Sequence, residues 1–266
     1  MSEEREAEAL RAALDAARGP AARADIRRQL IAALRALGLK TGTTDALHEA
    51  LSLGHAALAD TDRDAAPAEW SRTHALLGSV RAVLGEATGD PAWLAAAAGD
   101  YRSALTACAV GTLDWARTNR NLGAVLSLLG RHTEDAAALE EAVGCYRAAL
   151  TAYTRETTPQ DWAMTQSNLG DALCVLAEQH GEAASAATSA AACRAALEVF
   201  TKEAAPADWA MTTTNLANAL AAQGGADNSR EAVRLYRRAL DALDDPRLAP
   251  AIRHNLRRAE QRLLSV

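Results

Sequence analysis

The sequence predicts an all-α fold, a solenoid of stacked two-helix repeats, and three observations carry that expectation. Four of the five tryptophans stand at one recurring position, in Glu69-Trp70, Asp114-Trp115-Ala116, Asp161-Trp162-Ala163-Met164-Thr165 and Asp208-Trp209-Ala210-Met211-Thr212, at intervals of 45, 47 and 47 residues. A period of this size marks a repeat array rather than a single globular core. The stretches 159–173 and 206–220 agree at Pro, Asp, Trp, Ala, Met, Thr, Asn, Leu, Ala and Leu, so the period is written in the residues and not only in their composition. Alanine and leucine dominate and a single Phe is present, a helix-forming balance. Repeats grow by stacking, so 266 residues set the number of units, and residues 1–266 read as one domain.

In chain order, residues 1–20 hold a leading helix over about 3–17. Five helix pairs follow within 22–243, at 22–38 with 45–59, 67–84 with 92–107, 112–129 with 134–154, 159–177 with 183–203, and 206–222 with 228–243. The first helix of each pair opens on start chemistry. In Thr158-Pro159-Gln160-Asp161 a hydroxyl is offered as N-cap, a proline stands where no amide donor is needed, and a carboxylate meets the positive end of the helix dipole. Trp162, Thr165, Leu169, Leu173 and Leu176 then recur at three and four, one stripe for a neighbour to bury. Gly130, Ala177 and Gly224 are expected to close their helices. The second helix is clearest at 139–150 and is echoed at 229–240, 98–105 and, more faintly, 48–58. In the fourth pair the segment 183–192 is almost all Ala, Ser and Thr, so the weakest seam is expected around 180–192. After a turn at Asp244-Asp245-Pro246, a last helix over 247–264 carries Arg253, Arg257, Arg258 and Arg262, as suits a polar cap.

A net charge of −6 leaves no basic excess to hold a phosphate backbone, so nucleic acid is not expected as a partner. No apolar run of about 18 residues occurs, and the start Ser2-Glu3-Glu4-Arg5-Glu6 is acidic where a secretory signal is basic and then apolar; no membrane association and a cytoplasmic location are expected. Cys108, Cys145, Cys174 and Cys193 form no close pair and read as reduced, packed thiols.

Candidate chemistry is sparse. His48-Glu49 begins like a metalloprotease helix, but His55 lies seven residues on, about 10 Å along the axis, too far to share a metal. Residues 38–43 have the letters of a phosphate loop without its Gly-Lys-Ser/Thr order. No Ser or Cys nucleophile has a base at readable spacing, and no metal or cofactor is expected. The tryptophans read as packing wedges, with Trp93 off the pattern and partly exposed.

Asn121-Leu122-Gly123, Asn168-Leu169-Gly170 and Asn215-Leu216-Ala217 in the first helices, with the Glu-Ala-Val-x-x-Tyr-x-x-Ala-Leu runs 141–150 and 231–240 in the second, resemble the tetratricopeptide repeat family. The likeness covers about 22–264. The unit is longer than the family's usual of about 34 residues, similar in layout to the kinesin-light-chain class. The extra residues are expected to divide between the connection from first to second helix and the connection from second helix to the next repeat, adding about two turns to each where helical.

The resemblance implies a right-handed superhelix of five such repeats whose first helices line a concave groove. It places Asn121, Asn168, Asn215 and Asn255 in that groove as a series of amides able to hold an extended peptide backbone. The open alternative is that these amides bond to the next helix or only solvate the face. Gln29 and Leu76 occupy the position in the first two units. By the same carry-over Arg28, Arg35, Arg72, Arg117 and Arg120 face the groove in the first half, and Met164, Ser167, Asp171, Met211, Thr214 and Asn218 in the second. Arginine forks suit carboxylates, so a ligand with acidic groups is expected, against the alternative that these arginines bridge acids on adjacent helices. The functional expectation is a non-catalytic scaffold binding a protein or extended peptide. The alternatives are a regulatory module acting on an effector in trans and, less favoured, a helical enzyme.

Overall fold

A computed structural model describes residues 3–181, 183–242 and 249–264. Among the described residues there are twelve α-helices and no strand: α1 (Glu3–Ala16), α2 (Pro20–Thr41), α3 (Asp45–Ala59), α4 (Pro67–Thr88), α5 (Pro91–Leu105), α6 (Leu113–Thr133), α7 (Ala136–Ala149), α8 (Pro159–His180), α9 (Ala183–Leu197), α10 (Pro206–Gln223), α11 (Ala226–Ala242) and α12 (Ala249–Leu264). This is the all-α helix-pair repeat read from the tryptophan period. The chain divides into two compact units, residues 1–133 with α1–α6 and residues 134–266 with α7–α12.

Helix starts follow the proline signal, at Pro20, Pro67, Pro159 and Pro206, with Leu113 taking that place in α6. The expected hydroxyl cap is not used. Thr158 makes no cap bond to α8; its hydroxyl donates to the Thr154 carbonyl and accepts from the Thr154 amide, closing the preceding turn instead. The helix ends also correct the reading. Gly130 and Ala177 lie inside α6 and α8, where they face the core, and α8 stops at Gly181 in the left-handed conformation, whose amide donates to the Ala177 carbonyl. Gly42 and Gly89 stop α2 and α4 in the same way. The extra repeat length lies on both sides of the second helix. The first helices absorb it as 21 or 22 residues in α4, α6 and α8, and the link to the next repeat takes the rest as irregular turns at 60–66, 106–112, 150–158 and 198–205. The turn at Asp244-Asp245-Pro246 and the first residues of the predicted 247–264 helix lie outside the described residues.

In the first unit α2 packs on α1, α3 and α4, and α4 on α5 and α6. Leu30, Ile31 and Leu34 of α2 meet Leu47 and Leu51 of α3 and Leu77, Val80 and Leu84 of α4 in one buried core. Arg11 of α1 donates through two nitrogens to the Glu49 carboxylate of α3, at 2.7 and 2.6 Å, which fastens the leading helix. A second polar knot joins α3, α4 and α5. Asp100 is buried, accepts from Arg81 and lies 3.1 Å from His74 Nδ1, while Arg81 also donates to His55 Nε2 at 3.0 Å. Trp70 lies over His74, ring centres 4.2 Å apart, with the Arg63 guanidinium 4.9 Å from its ring.

The second unit repeats the scheme, with α8 against α7, α9 and α10, and α10 against α9, α11 and α12. Leu216 and Leu220 of α10, Val233, Leu235 and Tyr236 of α11 and Ile252 of α12 form its main core. The arginines of α12 are exposed, as a terminal cap requires. The alanine-rich α9 is seated on α8 by small residues. Ser189 is buried and its hydroxyl donates to the Gly170 carbonyl at 2.5 Å. Each buried alanine removes less apolar area than a leucine, at about 25 cal/mol per Å². Backbone amides at 183–192 are therefore expected to exchange before those of α8 at 159–177; equal protection in a hydrogen-exchange experiment would show that the close approach at Gly170 makes up the difference.

The tryptophans behave as wedges of unequal depth. Trp209 is buried, whereas Trp70, Trp115 and Trp162 are half-buried, as is Trp93, edge-on to His48 at 6.0 Å.

Candidate functional site

Residues seven apart on α2 return to one face of the helix. Arg28, Ala32 and Arg35 accordingly line one wall of a cleft of about 700 Å³ in the first unit. Ser71, Arg72, Ala75, Leu76 and Ser79 of α4 form its floor, and Asp114, Arg117, Thr118 and Asn121 of α6 the opposite wall. Ala107, Cys108, Ala109 and Thr112, from the turn 106–112, close one side.

That turn was not singled out from sequence, although a signal was present. Leu105-Thr106-Ala107-Cys108 aligns with Leu150-Thr151-Ala152-Tyr153 and Leu197-Glu198-Val199-Phe200. Tyr153 and Phe200 are buried rings that plug their turns. Cys108 is a small, half-buried residue in a turn shortened by two, as the Trp spacing of 45 against 47 records. Val110 in this turn is 80% exposed and Leu113, just after it, 54%.

Charge is arranged unevenly along the cleft. Arg28 pairs with Asp25 at 3.0 Å and with Glu69; Arg72 pairs with Glu69 at 3.1 Å and has its Nε 3.8 Å from Asp114; Arg117 pairs with Asp114. Three arginines and three carboxylates thus alternate across α2, α4 and α6, the helix-bridging arrangement that the sequence left open. Arg35 differs. It lies two turns, about 10 Å, further along α2, is half-buried, and makes no hydrogen bond or ion pair among the described residues. Its charge acts on Tyr101 of α5. Burial holds the Tyr101 phenol well above its ordinary range, opposed by the charges of Arg35 and Arg120 and by a hydrogen bond with the Asn121 side chain. Arg120, nominated with the others, is not among the residues that line the cleft.

The amide series is largely engaged inside the fold. Asn121 bonds to Tyr101. Asn215 donates to the Ser167 hydroxyl at 3.4 Å, beside Thr212, which donates to the same oxygen at 2.9 Å. Asn255 donates to Asn218 Oδ1 at 3.0 Å, and the Tyr236 hydroxyl donates to that oxygen at 2.6 Å, so Asn218 ties α10 to both α11 and α12. Asn168 is half-buried and makes no side-chain hydrogen bond among the described residues. Asp171 is half-buried on α8; burial and, after it, the Asp171 charge push the Cys193 thiol up. At the position of Arg72 and Arg117 the second unit carries Met164 and Met211, the latter 42% exposed.

Among the described residues no group of three or more His, Cys, Asp or Glu side chains is placed to hold a metal ion, and no helix is long and apolar enough to cross a membrane.

No family model matches the chain, and no curated protein matches it. Among solved structures it is similar to the crystal structure of BtubC (BKLC) from P. vanneervenii, with 22% identity, a TM-score of 0.62 and 91% of each chain covered. At that identity the likeness is one of fold. It supports the all-α helical-repeat architecture read from the sequence.

Proposed function

We propose that the chain is a non-catalytic binding module, and that the cleft of its first unit receives an acidic segment of a partner protein. One observation carries this reading: Arg28, Arg35, Arg72, Arg117 and Asn121, nominated separately from the repeat, converge on a single cleft. Stacked helical pairs present extended surfaces rather than convergent acid–base groups, and the cleft offers guanidinium forks that match carboxylates in pairs. A carboxylate arriving from a partner meets Arg35 open. At the other end it exchanges with Glu69 or Asp114 for Arg72 or Arg117, whose side chains are half exposed, an exchange that costs about 1 kcal/mol or less each.

Selection of random peptides displayed on phage against the immobilised chain tests this. Sequences rich in Asp and Glu are expected to be enriched, and Arg35→Glu with Arg117→Glu is expected to abolish their recovery. Recovery of the same sequences by that double variant would move the binding surface elsewhere.

A further inference from the structure

The two ends of the cleft differ in kind. At one end the charges of Arg28, Arg72 and Arg117 are matched by Asp25, Glu69 and Asp114. At the other Arg35 brings one positive charge with no acid beside it among the described residues. Between them the lining is small and mostly apolar, with Ala32, Ala75, Leu76, Ala107 and Cys108 contributing to it.

The repeat itself gives no structural reason for a guanidinium at that place. Gly38 sits against Leu47 as Gly85 sits against Leu94, which sets the first two units in register. Three residues before each of these, and at the matching points further on, the chain carries Arg35, Ala82, Ser127, Cys174 and Ala221. Four units fill the position with a small residue, buried in the case of Ser127 and Cys174. Of the three first helices that line the cleft, only α2 places an arginine there.

One unmatched cation beside an apolar recess fits a single anion carried on an apolar body. A cleft of about 700 Å³ lies within the range of about 300–1,000 Å³ common for small-molecule sites. We infer that this recess is a binding site for a small amphipathic monocarboxylic acid, of medium-chain alkyl or aryl type, whose carboxylate takes the Arg35 fork while its body covers the alanine-lined floor. A peptide terminus shares that carboxylate chemistry, but the Asn121 amide that would hold its backbone is bonded to Tyr101, so the free acid is the better fit. This goes beyond the partner-docking reading and does not depend on it.

The probes are octanoate and 4-phenylbutyrate, titrated calorimetrically into the purified full chain. Octanol supplies the body without the charge, and acetate the charge without the body. A peptide with a C-terminal leucine, as free acid and as amide, supplies the alternative source. Octanoate and phenylbutyrate are expected to bind about tenfold or more tighter than octanol, acetate and either peptide, and Arg35→Met to lose about tenfold, with Arg155→Met, an exposed arginine outside the cleft, changing affinity by less than about threefold. A second measurement is independent of folding in the variants: Cys108 lines the cleft while the other three cysteines are buried, so octanoate is expected to slow its alkylation by iodoacetamide. Octanol binding as tightly as octanoate, unchanged affinity in Arg35→Met, unprotected Cys108, or preference for the free-acid peptide would each overturn the inference. Acidic peptides that bind while octanoate does not would leave the docking reading standing without it.

Discussion

Asp100→Ala destabilises the first unit by about 3 kcal/mol, the lower end of the range for breaking a buried ion pair. The Asp100 side chain is 7% exposed and that of Arg81 17%. Removing the carboxylate leaves the guanidinium half-enclosed by α3 and α5 with only Nε2 of His55 as partner, and it also strips His74 of the oxygen that orients its ring beneath Trp70. Most of the loss comes from the stranded charge rather than from the missing attraction. Adding Arg81→Met to Asp100→Ala is therefore expected to restore a substantial part of it, because a thioether of similar length keeps the stem packing without the charge. Urea unfolding followed by hydrogen exchange in α3, α4 and α5 reads both effects as shifts in midpoint. A loss well below 1 kcal/mol for Asp100→Ala would mean that the knot behaves like an exposed pair.

The elements of this fold were legible because each is written more than once. Prolines gave the starts of the first helices to within about two residues, and the Trp period gave the register of the repeats. The stops at Gly130 and Ala177 were misplaced for a reason that lies in packing. Glycine within a helix marks either an end or a place where a neighbour comes close, and only the neighbour's position separates the two. Gly181, which does end α8, has a positive φ of 68°, a property invisible in the letters. The candidate site was half legible. The spacing of Arg28 and Arg35 on one helix face follows from periodicity, and so does their sharing a wall. Which arginine meets an acid does not, because Glu69 reaches Arg28 across 41 residues of chain. Nor did the asparagines disclose their partners. Asn215 and Asn168 hold the same place in the repeat, yet Asn215 finds the Ser167 hydroxyl on the preceding first helix. Three of the four amides follow the alternative left open at the outset, bonding to neighbouring helices. The turn that closes one side of the cleft differs from its counterparts by a two-residue shortening and a cysteine in place of a ring, a difference between repeats rather than a motif.

Gly170→Val is expected to destabilise the second unit by about 3 kcal/mol or more, an overpacking cost at the upper end of its usual range, and the same residue type elsewhere in the chain is expected to give the opposite sign. A Cβ placed on Gly170 would stand 2.5 Å from Cys193 Sγ and 3.1 Å from the Ser189 carbonyl oxygen. The sulfur belongs to a fully buried side chain and the carbonyl to helix backbone, so neither yields cheaply. Separating α8 from α9 to make room also stretches the bond from the Ser189 hydroxyl to the Gly170 carbonyl, a loss of about 1 kcal/mol. Alanine at the same site is the milder test, since its helix preference over glycine, about 1 kcal/mol, offsets part of the clash. Combining Gly170→Ala with Cys193→Ala removes the nearer obstacle and leaves the carbonyl, so it is expected to recover stability relative to Gly170→Ala alone. Gly99 and Gly144 sit inside α5 and α7 with nothing within 4 Å of a built Cβ. Replacing either with alanine is expected to stabilise its unit by about 0.5–1 kcal/mol, through helix propensity alone. Thermal or urea midpoints of Gly170→Val, Gly170→Ala, Gly99→Ala and Gly144→Ala separate the two accounts. If all of them move in the same direction, glycine in this chain acts only through backbone entropy, and the close seating of α9 on α8 contributes nothing measurable.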